Sequence, residues 1–391
     1  MKKHFNVLTY LFLLVLMQMY SARLYAQSAK PPIMGWSSWN HFRINIDEKM
    51  IKEQADALVS SGMYAAGYRY INIDDGFFGG RDSSGQLYAN AVKFPSGMKS
   101  LAGYIHNLKL KAGIYTDAGR NTCGSIWDGD KKGLGVGIYG HLEQDCDVFF
   151  KRWGYDFIKV DWCGGEKMGL DEQKTYTEII NFIKKIDSDI VVNVCRWKFP
   201  GKWVVNKADS WRISGDISAD FSSILKIIDI NADLHPYSKP GSYNDMDMLQ
   251  VGRGMNYEED KTHFSMWCML NSPLLAGNDL RNMSAQTISI LTNKELIALN
   301  QDIGFVQAKR VYREGDVEIW LKPLGTNGKV KAIAILNRGS KQADFEFQSG
   351  QLGLSGESKL RDLWLHNNLG KVGASRQVKI PGHGVVVFKV G

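Results

Sequence analysis

One ending recurs along this chain. Five short runs of β-branched and aromatic residues finish on a carboxylate: Tyr70-Ile71-Asn72-Ile73-Asp74-Asp75, Gly113-Ile114-Tyr115-Thr116-Asp117, Phe157-Ile158-Lys159-Val160-Asp161, Trp211-Arg212-Ile213-Ser214-Gly215-Asp216 and Tyr243-Asn244-Asp245-Met246-Asp247. A strand turns alternate side chains to opposite faces, so Lys159 and Asp161 point the same way. Acidic residues at the C-terminal ends of successive strands suit a (β/α) barrel, whose βα-loops converge on that face to build a site. A ring of carboxylates there suits acid/base chemistry on a polyhydroxylated molecule.

The spacing of the runs supports the barrel. Strand-like segments at 33–39, 68–73, 111–116, 157–161, 191–195, 210–213, 241–244 and 274–276 make eight. Helical periodicity fills 49–61, 98–108, 141–153, 173–185, 222–231, 257–270 and 285–299. Leu142, Cys146, Phe149 and Phe150 share one helical face, as do Ile179, Ile180, Phe182 and Ile183. A closed barrel of roughly 250 residues accommodates this order. A doubly wound open sheet is the alternative, but it normally begins with a glycine-rich phosphate turn, which is missing here. Near Gly304 the period changes to short alternating runs separated by turns such as Thr326-Asn327-Gly328 and Asn337-Arg338-Gly339. The expected fold class is therefore α/β, with a (β/α)8 TIM barrel over 27–305. A small C-terminal antiparallel β-sandwich over 306–391 follows it.

Residues 1–26 read as a signal peptide. Lys2 and Lys3 precede an apolar run from Leu8 to Tyr20, and Ala26 offers a small residue for cleavage before Gln27. The run is too short for a membrane span, and no cysteine follows it to carry a lipid. The expectation is an exported protein, periplasmic or extracellular, with no membrane anchor. Losing Lys2, Lys3 and Arg23 takes the formal net charge from +7 to +4, too mild and scattered for nucleic acid. Five cysteines remain (Cys123, Cys146, Cys163, Cys195 and Cys268), an odd number that leaves at least one thiol free. With no CxxC pair and no histidine cluster, neither a metal nor a cofactor is expected.

Asp161 and Asp216 form the most informative pair. Cleaving a glycosidic bond takes one carboxylate to attack or stabilise the anomeric carbon and a second carboxyl to protonate the departing oxygen. Asp161 suits the first task, because Lys159 beside it favours the charged form. Asp216, on a glycine-containing loop past its strand, suits the second. Arg212, four residues earlier, can bind a substrate hydroxyl or hold Asp216. A single aspartate after a strand is more often a helix cap; five in one barrel shift the balance. Asp74-Asp75 can chelate a divalent cation or grip neighbouring sugar hydroxyls, and the lack of convergent histidines favours the sugar. Trp36 and Trp39 close the first strand, where either ring can serve as core or as pocket wall.

Several blocks carry a resemblance. Met34-Gly35-Trp36-Ser37-Ser38-Trp39, Ile73-Asp74-Asp75-Gly76, Gly113-Ile114-Tyr115-Thr116-Asp117 and Lys159-Val160-Asp161-Trp162-Cys163 come first. Asn244-Asp245-Met246-Asp247-Met248, Ser272-Pro273-Leu274-Leu275-Ala276-Gly277-Asn278-Asp279-Leu280 and Asn300-Gln301-Asp302 follow. In this order, from about residue 31 to 305, they resemble the signature blocks of the α-galactosidases of glycoside hydrolase family 27. The resemblance implies hydrolysis of terminal α-linked galactose with retention and without a cofactor. It makes Asp161 the nucleophile and Asp216 the acid/base. It also places Trp39, Asp74, Asp75, Tyr115, Lys159, Arg212 and Asp247 on sugar-binding positions, with Asp74 and Asp75 at O4 and O6. Cys123 and Cys163 match a disulfide that braces the nucleophile loop.

One position departs from the family pattern. After the fifth strand the family has Cys-Glu-Trp, or Cys-Ser-Trp in animal N-acetylgalactosaminidases, and the middle residue senses the sugar's 2-substituent. Here the run is Cys195-Arg196-Trp197. Arginine accepts no hydroxyl proton and is too bulky to leave obvious room for an acetamido group. Arg196 is expected to contact O2 as a donor, to read another substituent, or to swing out to a carboxylate. Two related specificities therefore stay open, α-N-acetylgalactosaminidase and β-L-arabinopyranosidase. A silent carbohydrate-binding protein would have no need of Asp161 and Asp216 together.

Overall fold

The computed structural model describes residues 30–391, so the expected signal segment 1–26 lies outside them. Eight parallel strands form the first unit: β1 (Met34–Ser37), β2 (Tyr70–Asn72), β3 (Lys111–Asp117), β4 (Phe157–Asp161), β5 (Val191–Val194), β6 (Ser210–Arg212), β7 (Tyr243–Asp245) and β8 (Leu274–Ala276). Their spatial order is β8-β1-β2-β3-β4-β5-β6-β7. Leu249, just past β7, closes the remaining seam by bridging Ala276 in parallel. It exchanges backbone hydrogen bonds with Leu275 and Gly277 there. The β3–β4 register sets Tyr115 beside Lys159 and Asp117 beside Asp161, so the two strands deliver polar side chains to one level. Among the described residues, no helix is long and apolar enough to cross a membrane.

The helices follow the apolar periodicity, and several of the longer ones begin at side-chain caps. Asp47, Asp171 and Asp220 each accept a backbone N–H at the start of Glu48–Ser60, Glu172–Ile186 and Phe221–Ala232. Asn256 and Glu259 form a capping box on Tyr257–Met269. Two of the expected helical segments differ from expectation. The 141–153 segment is an α-helix over Leu142–Cys146 that widens into a π-helix over Asp147–Arg152. The wider turn rotates less per residue, so consecutive Val148, Phe149 and Phe150 are all buried. The 285–299 segment is two helices, Ala285–Leu291 and Lys294–Asn300, because Asn293 caps the second through the amides of Glu295 and Leu296. Between β5 and β6 there is only one 3-10 turn, Lys202–Val204, after Pro200 and Gly201. The loop after β2 carries a hairpin, Phe78–Arg81 with Leu87–Ala89, that the sequence pattern does not announce.

The second unit contains β9 (Lys309–Glu314), β10 (Val317–Leu324), β11 (Val330–Asn337), β12 (Ala343–Gln348), β13 (Lys359–Asp362), β14 (Asn367–Lys371), β15 (Ser375–Ile380) and β16 (Val385–Val390). A six-stranded antiparallel sheet, β9-β10-β11-β16-β13-β14, covers a two-stranded one, β12-β15. Strict alternation gives the large sheet two buried faces. Ile319, Ile333, Ile335 and Phe388 meet Phe347 and Ile380 inside the sandwich. Trp320, Ala334, Leu336 and Val387 belong instead to the core shared with the barrel. Fully buried Glu318 is paired with Arg310 and Arg338, and both arginines also hold Asp229 of the barrel. Full pairing of this kind is what makes a buried charge tolerable.

Candidate active site

Strand β4 supplies two charges from one face. Lys159 Nζ lies 2.9 Å from an Asp74 carboxylate oxygen and 3.7 Å from one of Asp161. It also stands 5.3 Å from the Tyr115 ring centroid and 5.9 Å from that of Trp39. Burial opposes the charge on Lys159, but the neighbouring acids, Asp74 foremost, outweigh it and raise its pKa. Asp161 is buried, and burial lifts its pKa against the pull of Lys159.

Strand β6 supplies the matching arrangement. The Arg212 guanidinium is 2.7 Å from Asp247 and 3.0 Å from Asp216. Asp216 has 66% of its side chain exposed. Burial of its remainder works upward on its pKa, yet Arg212 and then Lys159 bring it below the usual carboxylate range. Asp247 is buried, and burial raises its pKa against Arg212. Its φ of 75° lies in the left-handed region, a conformation that side chains adopt mainly under local constraint. That constraint is visible: Asp247 accepts the amides of Ile217 and Met248.

Asp161 and Asp216 open into a single cavity of about 290 Å³, together with Trp39, Asp74, Lys159 and Arg212. Cys123 and Cys163 line it too, and Asn40, Arg43, Trp127, Trp197 and Met248 complete its wall. Sequence reasoning does not reach these five. Trp197 and Met248 stand beside Arg196 and Asp247, and that adjacency is the one signal available. Arg43 caps the one-turn helix Trp39–Phe42 and Trp127 ends the helix Cys123–Trp127, both too short to show a period.

Four expected contact residues do not line this cavity. Arg196 takes the last of its three expected courses and swings out to a carboxylate: its Nε bonds Glu172 at 2.8 Å, and Glu166 stands 3.5 Å away. Those carboxylates draw it off the cavity wall, and the next residue, Trp197, takes that place at φ 49°. Asp75 and Tyr115 sit one layer deeper than the wall. Asp75 accepts the Gly76 amide on one oxygen and the Gly124 amide on the other, and burial pushes its pKa up to about 7. The Tyr115 hydroxyl accepts the Cys123 amide at 3.3 Å. Asp247 borders a smaller cavity below, shared with Asp74, Lys159 and Arg212.

A disulfide and a buried carboxylate brace the loop after Asp161. Cys123 and Cys163 form a disulfide with their Cα atoms 5.1 Å apart; Cys146, Cys195 and Cys268 are free and buried. One oxygen of Asp117 accepts the amides of Gly119, Gly164 and Gly165 just past Asp161. Burial, and then the Asp161 charge, push the Asp117 pKa up to about 8. Gly119 is required by close approach, since a Cβ there would sit 2.0 Å from the Gly164 carbonyl carbon. The cation reading of Asp74-Asp75 does not fit this donor set. Amides take both Asp75 oxygens, and Lys159 takes one of Asp74.

Two carboxylates on separate strands, opening into one cation-lined and indole-walled cavity at the strand C-termini, meet the demands of glycosidic bond cleavage. Fold and site together define a (β/α)8 glycoside hydrolase. Similarity to known proteins narrows the class. Residues 31–302 match the family model described as Alpha galactosidase A, and residues 314–390 match Alpha galactosidase C-terminal beta sandwich domain. Alpha-galactosidase A of Cellvibrio japonicus is 41% identical over 394 residues, covering 95% of this chain and 94% of its own. Alpha-galactosidase 2 of Arabidopsis thaliana is 43% identical over 346 residues, covering 87% and 84%. The crystal structure of alpha-galactosidase I from Mortierella vinacea superposes with a TM-score of 0.85 at 32% identity, covering 93% and 97%. The chain belongs to the α-galactosidase family, glycoside hydrolase family 27.

Proposed function

We propose that this enzyme is an exported exo-glycosidase that removes terminal α-linked galactose from oligo- or polysaccharides by double displacement. Asp161 attacks the anomeric carbon while Asp216 protonates the leaving oxygen, giving a galactosyl ester on Asp161. Asp216 then deprotonates a water that cleaves the ester and returns the sugar with its original configuration. The carrying observation is that Asp161 and Asp216 share one cavity, each with a cation beside it. Asp74, Lys159 and Arg212 are positioned to take hydroxyls of the galactose, and Trp39 to wall its ring. Asp75, Tyr115 and Asp247 support them from beneath.

Burial raises the Asp161 pKa, whereas Arg212 and then Lys159 outweigh burial and lower that of Asp216, so Asp161 has the higher of the two. Catalysis requires the reverse. A sugar that covers Asp216 strips its water and raises its pKa, and hydroxyls donating to Asp161 favour the charged form there. Substrate binding therefore moves both groups towards the protonation states that catalysis needs.

Proton NMR of the first turnovers tests the stereochemistry: α-galactose is expected to appear before mutarotation, and β-galactose first would overturn retention. Asp161→Asn should abolish turnover while galactose binding stays measurable. Activity confined to N-acetylgalactosaminides in a nitrophenyl glycoside panel would remove the galactose assignment.

A further inference from the structure

The cavity has an enclosed end and an open one. Asp74 and Asp161 are nearly inaccessible, whereas the Asp216 side chain is 66% exposed. A proton donor must touch the glycosidic oxygen, so the leaving group lies on the Asp216 side, towards solvent. Trp127 lines the same cavity and is itself 66% exposed, whereas Trp36, Trp162 and Trp211 are buried. Lys167 Nζ stands 5.7 Å from the Trp127 ring centroid, and the rest of this indole, exposed at the mouth of a sugar site, presents a flat apolar face to ring C–H groups.

This indole is held in place. Trp127 ends the helix Cys123–Trp127, which Thr122 caps, the Cys123–Cys163 disulfide tethers and the Gly124 amide anchors on Asp75. The next residue, Asp128, takes both Nε and Nη2 of Arg43, at 2.5 and 2.8 Å. Arg43 lines the cavity and stacks on Trp39, 4.8 Å from its ring centroid. A surface already ordered before binding costs little to use.

Resting on the galactosidase reading above, we infer that Trp127, fixed by the Arg43–Asp128 pair, is the platform for the sugar on the leaving-group side of the scissile bond. Trp127 thereby selects saccharide leaving groups over small ones. It acts on the second ring, and the galactose-binding end of the cavity is independent of it.

The test compares two substrates in wild type, Trp127→Ala and Trp127→Phe: an α-galactosyl-(1→6)-glucose disaccharide and α-galactosyl fluoride, whose leaving group is one atom. Trp127→Ala is expected to lose about tenfold in kcat/KM on the disaccharide and to stay within about twofold on the fluoride. Trp127→Phe should recover most of the loss, and inhibition by galactose should be unchanged. Equal losses on both substrates, or no loss on the disaccharide, would overturn the inference. If wild type turns over neither substrate, the galactosidase reading fails and this inference falls with it.

Discussion

Lys159 holds its ammonium 3.7 Å from the Asp161 carboxylate while it bonds Asp74 at 2.9 Å. The first contact follows from a two-residue spacing within one strand, and the second needs β2, which stands two strands away around the barrel. Burial raises the Asp161 pKa and Lys159 opposes the rise, so the lysine widens the pH range in which Asp161 is charged. Lys159→Met should move the acidic limb of kcat/KM to higher pH and cut its plateau by about a hundredfold or more. A pH–rate profile measures both. An unmoved acidic limb would count against Asp161 as the ionising group.

The two arginines near the site should behave oppositely. Arg196 is tied to Glu172 and Glu166 off the cavity wall, so Arg196→Ala should leave kcat/KM for an α-galactoside within about twofold and cost under about 1 kcal/mol of stability. Arg212→Ala leaves Asp247 buried without its cation and releases Asp216. It should lose about a hundredfold or more in kcat/KM and about 3–5 kcal/mol of stability. Steady-state kinetics and urea unfolding of both variants decide this. A large kinetic loss in Arg196→Ala would return that side chain to the substrate.

Asp117 predicts a pH-dependent stability. Its folded pKa, about 8, lies above its unfolded value, so the folded state holds the proton more tightly. Its stabilising contribution is complete below about pH 4 and fades as pH rises towards 8. Asp117→Asn keeps the acceptor oxygen and removes the titration. Its stability relative to wild type should therefore improve steadily between pH 4.5 and 7.5 in urea titrations. A difference independent of pH would show that Asp117 does not carry the shift.

The Cys123–Cys163 bridge joins residues 40 apart in sequence and closes a loop that contains Asp161. Replacing both cysteines with alanine should cost about 2–4 kcal/mol, by removing a constraint on the unfolded chain. It should also lower kcat more than it raises KM for galactoside, because the Asp161 loop loses its brace. Thermal melts and kinetics with and without reductant test the two parts separately. Unchanged kcat in the reduced enzyme would reduce the bridge to a purely stabilising role.

Much of the architecture is legible in the chain itself. Strand endings, helix caps and the change of period near Gly304 are local signals, and local geometry enforces them. The edge strands β9 and β14 escape notice because their residues are mostly exposed or half-buried, so no apolar alternation marks them. The π-helix at Asp147–Arg152 escapes because its apolar spacing also fits an ordinary helix. Asp161 and Asp216 are visible for a different reason: each ends a strand-like run, and a barrel gathers such ends on one face.

By itself, then, the sequence determined the order of strands and helices, the two-part architecture and which carboxylates reach the catalytic face. Those features depend on period and spacing, which the chain carries locally. Only the tertiary structure decided that Arg196 turns to Glu172 while Trp197 faces the cavity. It also decided that Asp75 spends its oxygens on amides and that Trp127 stands uncovered at the mouth. The direction of a side chain is set by which partner reaches it first, and those partners come from distant parts of the chain.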